Sequence, residues 1–316
     1  MSSGMRRTWA IVLAAGDGTR VAELTLDSSG RPVPKQYCAF GTGRTLLDRA
    51  LARAERLVPR SRVAIVVAEQ HRVWWEGALA GWPADSVIVQ PCNRGTAAGL
   101  LLGLLHVLRR DSHARLLVFP SDHHVEREDV LHASWLSALD GLQHAADRVV
   151  LLGMTPRAAD AEYGWILCGS PGAGGLRGVV SFREKPKAAT AARLRKRGAL
   201  LNTFMLATAS APLLSAYAAA VPRLLRSLAV AVRCGSATTL STLYDGVATC
   251  DFSREILERS TDRLAAAVVP SCGWSDLGTP GRLNAFLNSR QAESRPFVSG
   301  TAARVGIGPR PGGPSR

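Results

Sequence analysis

The sequence predicts an α/β fold: a Rossmann-like, mostly parallel but mixed sheet flanked by helices, with a smaller substrate-side lobe. Three observations predict it. Up to residue 154, short apolar runs of strand composition alternate with segments of helical periodicity, the pattern of buried parallel strands covered on both faces. Most of those runs stop in glycine-rich or polar segments, and open α/β sheets bind ligands at the carboxyl ends of their strands. Beyond residue 160 the strand-like segments carry polar groups, which sets the second lobe apart. At 316 residues the chain can bury a full core.

The first strand, residues 9–13, runs into Ala14-Ala15-Gly16-Asp17-Gly18-Thr19-Arg20. Gly16 and Gly18 allow successive backbone N–H groups to converge on phosphate oxygens. Arg20 adds a forked, permanently charged donor. The loop matches neither standard glycine fingerprint. Position 21 is Val21 where Gly-x-Gly-x-x-Gly needs glycine, and the loop lacks the closing Gly-Lys-Ser/Thr of a P-loop. A dinucleotide oxidoreductase and a P-loop kinase therefore lose ground.

A turn-rich stretch follows and leads to Arg31-Pro-Val-Pro-Lys-Gln36. Pro32 and Pro34 stiffen the approach to Lys35, a rigid way to hold one ammonium near phosphates. Residues 46–57 have helical periodicity, 62–67 read as a buried strand, 71–80 as a helix and 87–90 as a third strand. That strand ends in Gln90-Pro-Cys-Asn-Arg-Gly-Thr-Ala-Ala-Gly99, and a helix is expected over 100–108. Gln90, Asn93, Arg94, Gly95 and Thr96 thus sit where a strand hands over to a helix, a place that favours anions.

The fourth strand, 116–119, is stopped by Pro120-Ser-Asp-His-His124. A carboxylate there can hold Mg²⁺, which takes one or two protein carboxylates and completes its shell with phosphates and water. Asp122 is the candidate, with His123 as a site-lining hydrogen-bond donor. A helix over 130–146 and a strand over 149–154 complete the alternation. Strand-like segments follow at 162–167, 178–186 and 200–206, carrying Tyr163, Gly164, Glu184, Lys185 and Asn202. Glu184 can accept from sugar hydroxyls, Lys185 can meet a sugar phosphate, and Asn202 can donate and accept. Residues 209–233 read as helical, 253–259 as a short helix and 264–269 as a strand. Cys272-Gly-Trp-Ser-Asp-Leu-Gly-Thr279 then presents a second carboxylate, Asp276, ahead of a helix over 280–287. From 290 onward the chain is rich in Pro, Gly, Ser and Arg, and a disordered basic tail is expected.

Composition narrows the function classes. The formal charge is +14, but the basic residues are dispersed, without the clustering and aromatic interleaving of a nucleic-acid surface. Only four are lysines (Lys35, Lys185, Lys187 and Lys196), so a Lys inside a motif marks a place for a compact point charge. Six scattered cysteines offer neither a zinc pattern nor a disulfide framework. No apolar run is long enough to cross a bilayer, and residues 1–7 run into the first strand without a secretory apolar region. A cytoplasmic protein with no membrane or nucleic-acid partner is expected.

Taken in order, the glycine loop, Pro34-Lys-Gln36, Gln90-Pro-Cys-Asn-Arg-Gly-Thr-Ala97, Pro120-Ser-Asp-His123, Tyr163-Gly-Trp-Ile166, Phe182-Arg-Glu-Lys-Pro186, Asn202-Thr-Phe204 and Trp274-Ser-Asp-Leu-Gly-Thr279 resemble the sugar-1-phosphate nucleotidylyltransferases. The match runs from about residue 9 to 288, and the Asn93-Arg94 form of the third motif is most like the mannose-1-phosphate guanylyltransferase branch. The resemblance implies a nucleotide-diphospho-sugar transferase fold over 1–289, with a nucleotide-binding half over 8–155 and a sugar-phosphate half over 156–289. It implies that Ala14, Ala15, Gly16, Gly18, Thr19, Arg20, Lys35, Gln90, Asn93, Arg94, Gly95 and Thr96 bind GTP. Tyr163, Gly164, Glu184, Lys185 and Asn202 would bind a hexose 1-phosphate, and Asp122 and Asp276 would share Mg²⁺. Arg20, Lys35 and Asp122 would be catalytic. A homodimer is compatible with it. The chain departs from the family pattern at Leu201, where tryptophan is common, and at Ala98, where proline is frequent. No hexapeptide repeat or second enzymatic domain follows, so a single activity is expected.

Overall fold

The computed structural model describes residues 7–41 and 43–294, with side chains described as far as residue 290. The first strand, β1 (Thr8–Ala14), is buried almost throughout. Helix α1 (Leu46–Glu55) starts in a reciprocal capping box, Thr45 with Asp48, which satisfies two orphan helix donors. Then come β2 (Val63–Ala68), α2 (Arg72–Ala78), β3 (Val87–Gln90), α3 (Gly95–Arg110), β4 (Arg115–Pro120), α4 (Glu128–Gly141) and β5 (Val149–Met154). The second part contributes β6 (Trp165–Pro171), β7 (Arg177–Arg183), α5 (Ala188–Lys196), β8 (Leu200–Ala209), α6 (Ser210–Ala220), α7 (Pro222–Cys234), α8 (Ala237–Gly246), β9 (Leu264–Val269) and α9 (Pro280–Ser294). No helix among the described residues is long and apolar enough to cross a membrane.

The nine strands among the described residues form one sheet in the order β3-β2-β1-β4-β8-β5-β9-β7-β6, with β6 also touching β8. The parallel character is confined to β3-β2-β1-β4 and to β5-β9, whereas β8 runs antiparallel to both β4 and β5, and β7 to β9. The sheet is mixed, and its two sequence halves are not separate bodies, because β8 of the second lies between β4 and β5 of the first. Two apolar layers cover it. One packs α1 and α4 on one face, the other α3, α6 and α7 on the opposite face. Gly103 of α3 lets that helix settle on Ile11 and Val66, whose methyl groups lie 2.9 Å from where a Cβ would stand.

This topology positions the site. A strand antiparallel to its neighbours brings its amino end to their carboxyl ends, so Asn202, paired with Gly153 near the end of β5, arrives beside the loops that follow β1 and β4. The β6–β7 hairpin pairs Trp165 with Arg183 and Trp165 with Leu201, so its open end carries Gly164 and Glu184 to the same edge. A bulge in β8 opposite residues 151–153 puts Phe204 at φ 60°. The turn is held by Thr203 Oγ1 donating to the Leu152 carbonyl (2.6 Å) and by Phe204 N–H donating to Asn202 Oδ1 (3.1 Å). Bulges re-aim side chains next to sites, and here Thr203 and Phe204 turn to the cleft.

Several expected boundaries move. Helix α3 begins at Gly95, five residues ahead of the apolar run expected to start it, so the polar motif forms its first turn. The expected helix over 209–233 is two, interrupted before Pro222, and α5 and α8 are additional to those expected. Residues 253–257 form a π-helical turn. The tail expected from 290 is helical to Ser294; its remainder lies outside the described residues.

Candidate active site

One cleft of about 370 Å³ opens along the carboxyl edge of the sheet. Of the residues singled out above, Ala15, Gly16, Arg20, Lys35, Gln90, Asn93, Gly95, Thr96, Asp122, Tyr163, Gly164, Glu184, Lys185, Asn202 and Asp276 line it. Ala14, Gly18, Thr19 and Arg94 do not. Ala14 is fully buried, and its carbonyl accepts from Gln36 Nε2 (3.2 Å) and the Tyr37 hydroxyl (3.1 Å). Gly18 stands at φ 65° with the Lys35 backbone nitrogen 3.2 Å from its absent Cβ, so it supports Lys35 from behind. Thr19 opens a 3₁₀ turn, Thr19–Leu24. The Arg94 guanidinium faces away and donates to the Tyr244 carbonyl (2.8 Å), tying the start of α3 to α8.

At the centre is Lys35, 4% exposed. Its ammonium lies 3.0 Å from Asp122 Oδ2 and donates to the Asp276 backbone carbonyl. Burial opposes ionisation of Asp122, but Lys35, with His123 behind it, outweighs burial and holds the carboxyl below its usual range. His123 is pushed down to about 4 by burial, against the pull of Asp122 and Asp276, and is therefore neutral. The Trp274 indole N–H lies 3.2 Å from His123 Nδ1. An indole nitrogen only donates, so Nδ1 accepts and the imidazole proton sits on Nε2, 3.6 Å from Asp122 Oδ1. The expected donor role of His123 thus has its proton on the Asp122 side.

The glycine-loop side is braced by a residue that the motifs do not mark as a site residue. Asp17 accepts from Gln70 Nε2 (3.0 Å) and Asn93 Nδ2 (2.8 Å) and lies 3.2 Å from His71 Nε2. Asn93 Oδ1 in turn accepts from Gly95 N–H (2.9 Å). Asn93 therefore locks the glycine loop to the first turn of α3. Gln90 Oε1 accepts from the Tyr244 hydroxyl (3.3 Å), which leaves its NH₂ as the end for a ligand in the cleft.

On the other side, Glu184 is raised to about 7 by burial first and by the Asp251 charge second, with Lys185 and Arg254 opposing. A Cβ on Gly164 would stand 2.5 Å from Glu184 Oε2, so any side chain there would push that carboxylate aside. Lys185 takes φ 46°, and Phe204 and Leu277 are also in the left-handed region; such costs concentrate at functional sites. Segment 249–253, which carries no motif, bridges the two sides. Cys250 N–H donates to the Arg94 carbonyl (3.0 Å), its own carbonyl accepts from Ala97 N–H (3.1 Å), and Phe252 N–H donates to Thr96 Oγ1 (2.9 Å). On the far side Asn202 Nδ2 donates to Ser253 Oγ (3.3 Å).

Asp122 and Asp276 both face the cleft. No group of three His, Cys, Asp or Glu poised for a metal exists among the described residues. These two carboxylates are hard oxygen donors and fit a Mg²⁺ that brings phosphate and water as its remaining ligands. Chemically, the cleft offers one buried ammonium with the Asp122 carboxylate beside it, the Asp276 carboxylate, a glycine loop with an arginine on one flank and groups able to accept and donate hydrogen bonds on the other. Such an arrangement can position two phosphorylated ligands and offset their charge.

Residues 9–292 match the nucleotidyl transferase family. The "Xanthan biosynthesis protein XanB" of Xanthomonas campestris pv. campestris (strain B100) is 28% identical over 183 residues, 57% of this chain and 37% of that protein. "Mannose-1-phosphate guanylyltransferase 2" of Escherichia coli O157:H7 is 29% identical over 198 residues, 58% of this chain and 39% of that protein. The chain thus spans well under half the length of these curated relatives. A solved structure described as a mannose-1-phosphate geranyltransferase from Thermus thermophilus superposes with a TM-score of 0.73 at 26% identity, covering 86% of this chain and 76% of that one. With the fold, the cleft and the match over nearly the whole described chain in agreement, this protein belongs to the nucleotidyl transferase family.

Proposed function

We propose that the protein transfers a guanylyl group from GTP to mannose 1-phosphate, giving GDP-mannose and pyrophosphate. A phosphate oxygen of the sugar phosphate attacks the α-phosphorus of GTP in line, the bond to the β-phosphate bridging oxygen breaks, and pyrophosphate leaves with that electron pair. The nucleophile is already ionised near neutral pH, so no general base is required, and catalysis is positioning plus charge stabilisation. The observation that carries the reading is the placement of Lys35. Its ammonium stands between Asp122 and Asp276, where the glycine-loop side of the cleft meets the Gly164, Glu184 and Asn202 side.

In this reading the backbone of residues 15–19 and the Arg20 guanidinium hold the triphosphate. Gln90, Gly95 and Thr96 hold base and ribose, and Lys35 offsets charge developing at the α-phosphate. Asn93 and Arg94 act indirectly, by fixing the loop. Mg²⁺ held by Asp122 and Asp276 would neutralise phosphate charge. Glu184 and Asn202 receive the hexose hydroxyls, and Lys185 its phosphate. The names of the relatives support the guanylyl and mannose assignments. The test is pyrophosphate release by purified protein with Mg²⁺, each common NTP being paired with mannose 1-phosphate and with glucose 1-phosphate. Release confined to GTP with mannose 1-phosphate is expected. Another productive pair would change the substrates and keep the mechanism, and no release from folded, nucleotide-binding protein would remove the catalytic reading.

The sugar side makes two expectations measurable. Gly164→Ala should raise KM for the sugar phosphate about tenfold with little change in KM for the nucleotide, because the added methyl displaces the Glu184 carboxylate; equal changes in both would argue against the assignment. Glu184, held near 7, gains its charge as pH rises from about 6 to about 8. A carboxylate accepts hydroxyls better than a carboxyl, so KM for the sugar phosphate should fall over that range. Asp251→Asn should move the inflection to lower pH, since it removes the charge that raises Glu184 most, whereas an inflection belonging to the substrate's own phosphate would stay where it is.

A further inference from the structure

The last turn before α9 and the first turn of that helix hold an ion pair that the proposed chemistry does not use. The Arg282 N–H donates to Thr279 Oγ1 (3.3 Å), which seats the residue at the helix start. Its guanidinium lies over the Tyr163 ring at 4.1 Å from the centroid. Nη1 contacts Asp160 Oδ2 at 2.7 Å, Nη2 donates to Asp276 Oδ2 at 3.3 Å, and Nε lies 3.0 Å from Asp276 Oδ1. The Arg282 and Asp276 side chains are only 16% and 17% exposed. Asp276 Oδ1 also accepts from the Tyr163 hydroxyl (3.3 Å) and from Gly278 N–H (3.0 Å). Both oxygens of the carboxylate are therefore already engaged.

We propose that Arg282 is a resident counter-cation of Asp276, which in the substrate-free protein closes that carboxylate to divalent metal, so that metal enters the site together with polyphosphate. The proposal rests on the reading of Asp276 as a metal carboxylate. Its physical basis is that a guanidinium stays protonated under all working conditions, so its charge opposes a second cation on the same oxygens. The pair is largely shielded from water, where such an opposition is felt most. The nucleotide's polyphosphate chain supplies the negative charge that offsets it. Arg282 can yield without being orphaned, because its shorter contact is with Asp160. Arg282 does not line the cleft, and it is a positioning residue rather than a catalytic one.

The test uses Mn²⁺ as probe, with free Mn²⁺ read by electron paramagnetic resonance during titration of the substrate-free full chain. Arg282→Gln should bind Mn²⁺ roughly tenfold or more tightly than the wild type. The gain should vanish in Arg282→Gln/Asp276→Asn. Arg282→Lys, which keeps a charge, should stay within about threefold of the wild type. Arg282→Met retains an apolar stem on Tyr163 and takes the place of the glutamine variant should that variant fail to fold. Mn²⁺ affinity no tighter than wild type in the folded neutral variant overturns the proposal, as does a gain that survives loss of Asp276. Turnover does not enter the measurement, so failure of pyrophosphate release would sink the transferase reading while leaving this result standing.

Discussion

Lys35→Met is expected to lower the rate of pyrophosphate release by about 10²–10³-fold or more, the loss typical of removing one preorganised charge donor from a shielded site. Lys35 is 4% exposed and fixed on two sides, by the Asp122 carboxylate and by the Asp276 carbonyl. Arg20, the cation on the glycine-loop flank, is half exposed and turned to Glu162 at 3.3 Å. Lys35→Arg should not restore the rate, since a planar fork cannot occupy the pocket of a point charge. Lys35→Met also leaves Asp122 without its cation, so the Asp122 carboxyl should titrate at higher pH than in the wild type. Nucleotide binding and thermal unfolding measured alongside turnover separate the chemical loss from a folding loss. A rate within about tenfold of wild type in folded protein would remove Lys35 from the reaction centre.

Gly95→Ala should destabilise the fold strongly. Gly95 stands at φ 83°, and an added Cβ would lie 2.4 Å from the Cys250 carbonyl oxygen and 2.9 Å from its carbon. The obstacle is backbone, held by the Cys250 bonds to Arg94 and Ala97, so no side-chain rotation relieves it. Left-handed strain and overpacking together place the cost at about 2–4 kcal/mol. The denaturant midpoint should fall accordingly, and because segment 249–253 touches both sides of the cleft, the affinities for nucleotide and sugar phosphate should weaken together. A midpoint equal to wild type would show that the segment gives way freely and braces nothing.

Fold and site differ in how far they can be read from the chain. Strands β3, β5 and β9 stand where apolar runs bounded by turn residues place them, and β1, β2 and β4 within a residue or two, because burial on both faces leaves a continuous hydrophobic signature. The start of α3 lies ahead of its apolar run, since its first turn is polar, and polarity there reflects the cleft rather than a loop. Helix α5 has a weak signature because its apolar contacts are few, with only Ala191 and Leu194 buried. Cleft residues inside glycine- or proline-marked motifs, such as Lys35 and Asp122, are legible. Asp17 and segment 249–253 are not, since each matters through partners far away in sequence, and Arg282 is not, since its seat beside Asp276 is set by Asp160 and Tyr163.

Local periodicity and glycine and proline chemistry specify the α/β class, most of the buried strands and the residue types that gather at their carboxyl ends. The fold alone shows that β8 enters between β4 and β5, which carries Asn202 to the cleft edge, and that Arg94 points to α8 while Arg282 reaches Asp160 and Tyr163. The physical reason is that strand order, and the partner a long charged side chain finds, depend on contacts between residues far apart in the chain, for which hydrophobic periodicity carries no signal.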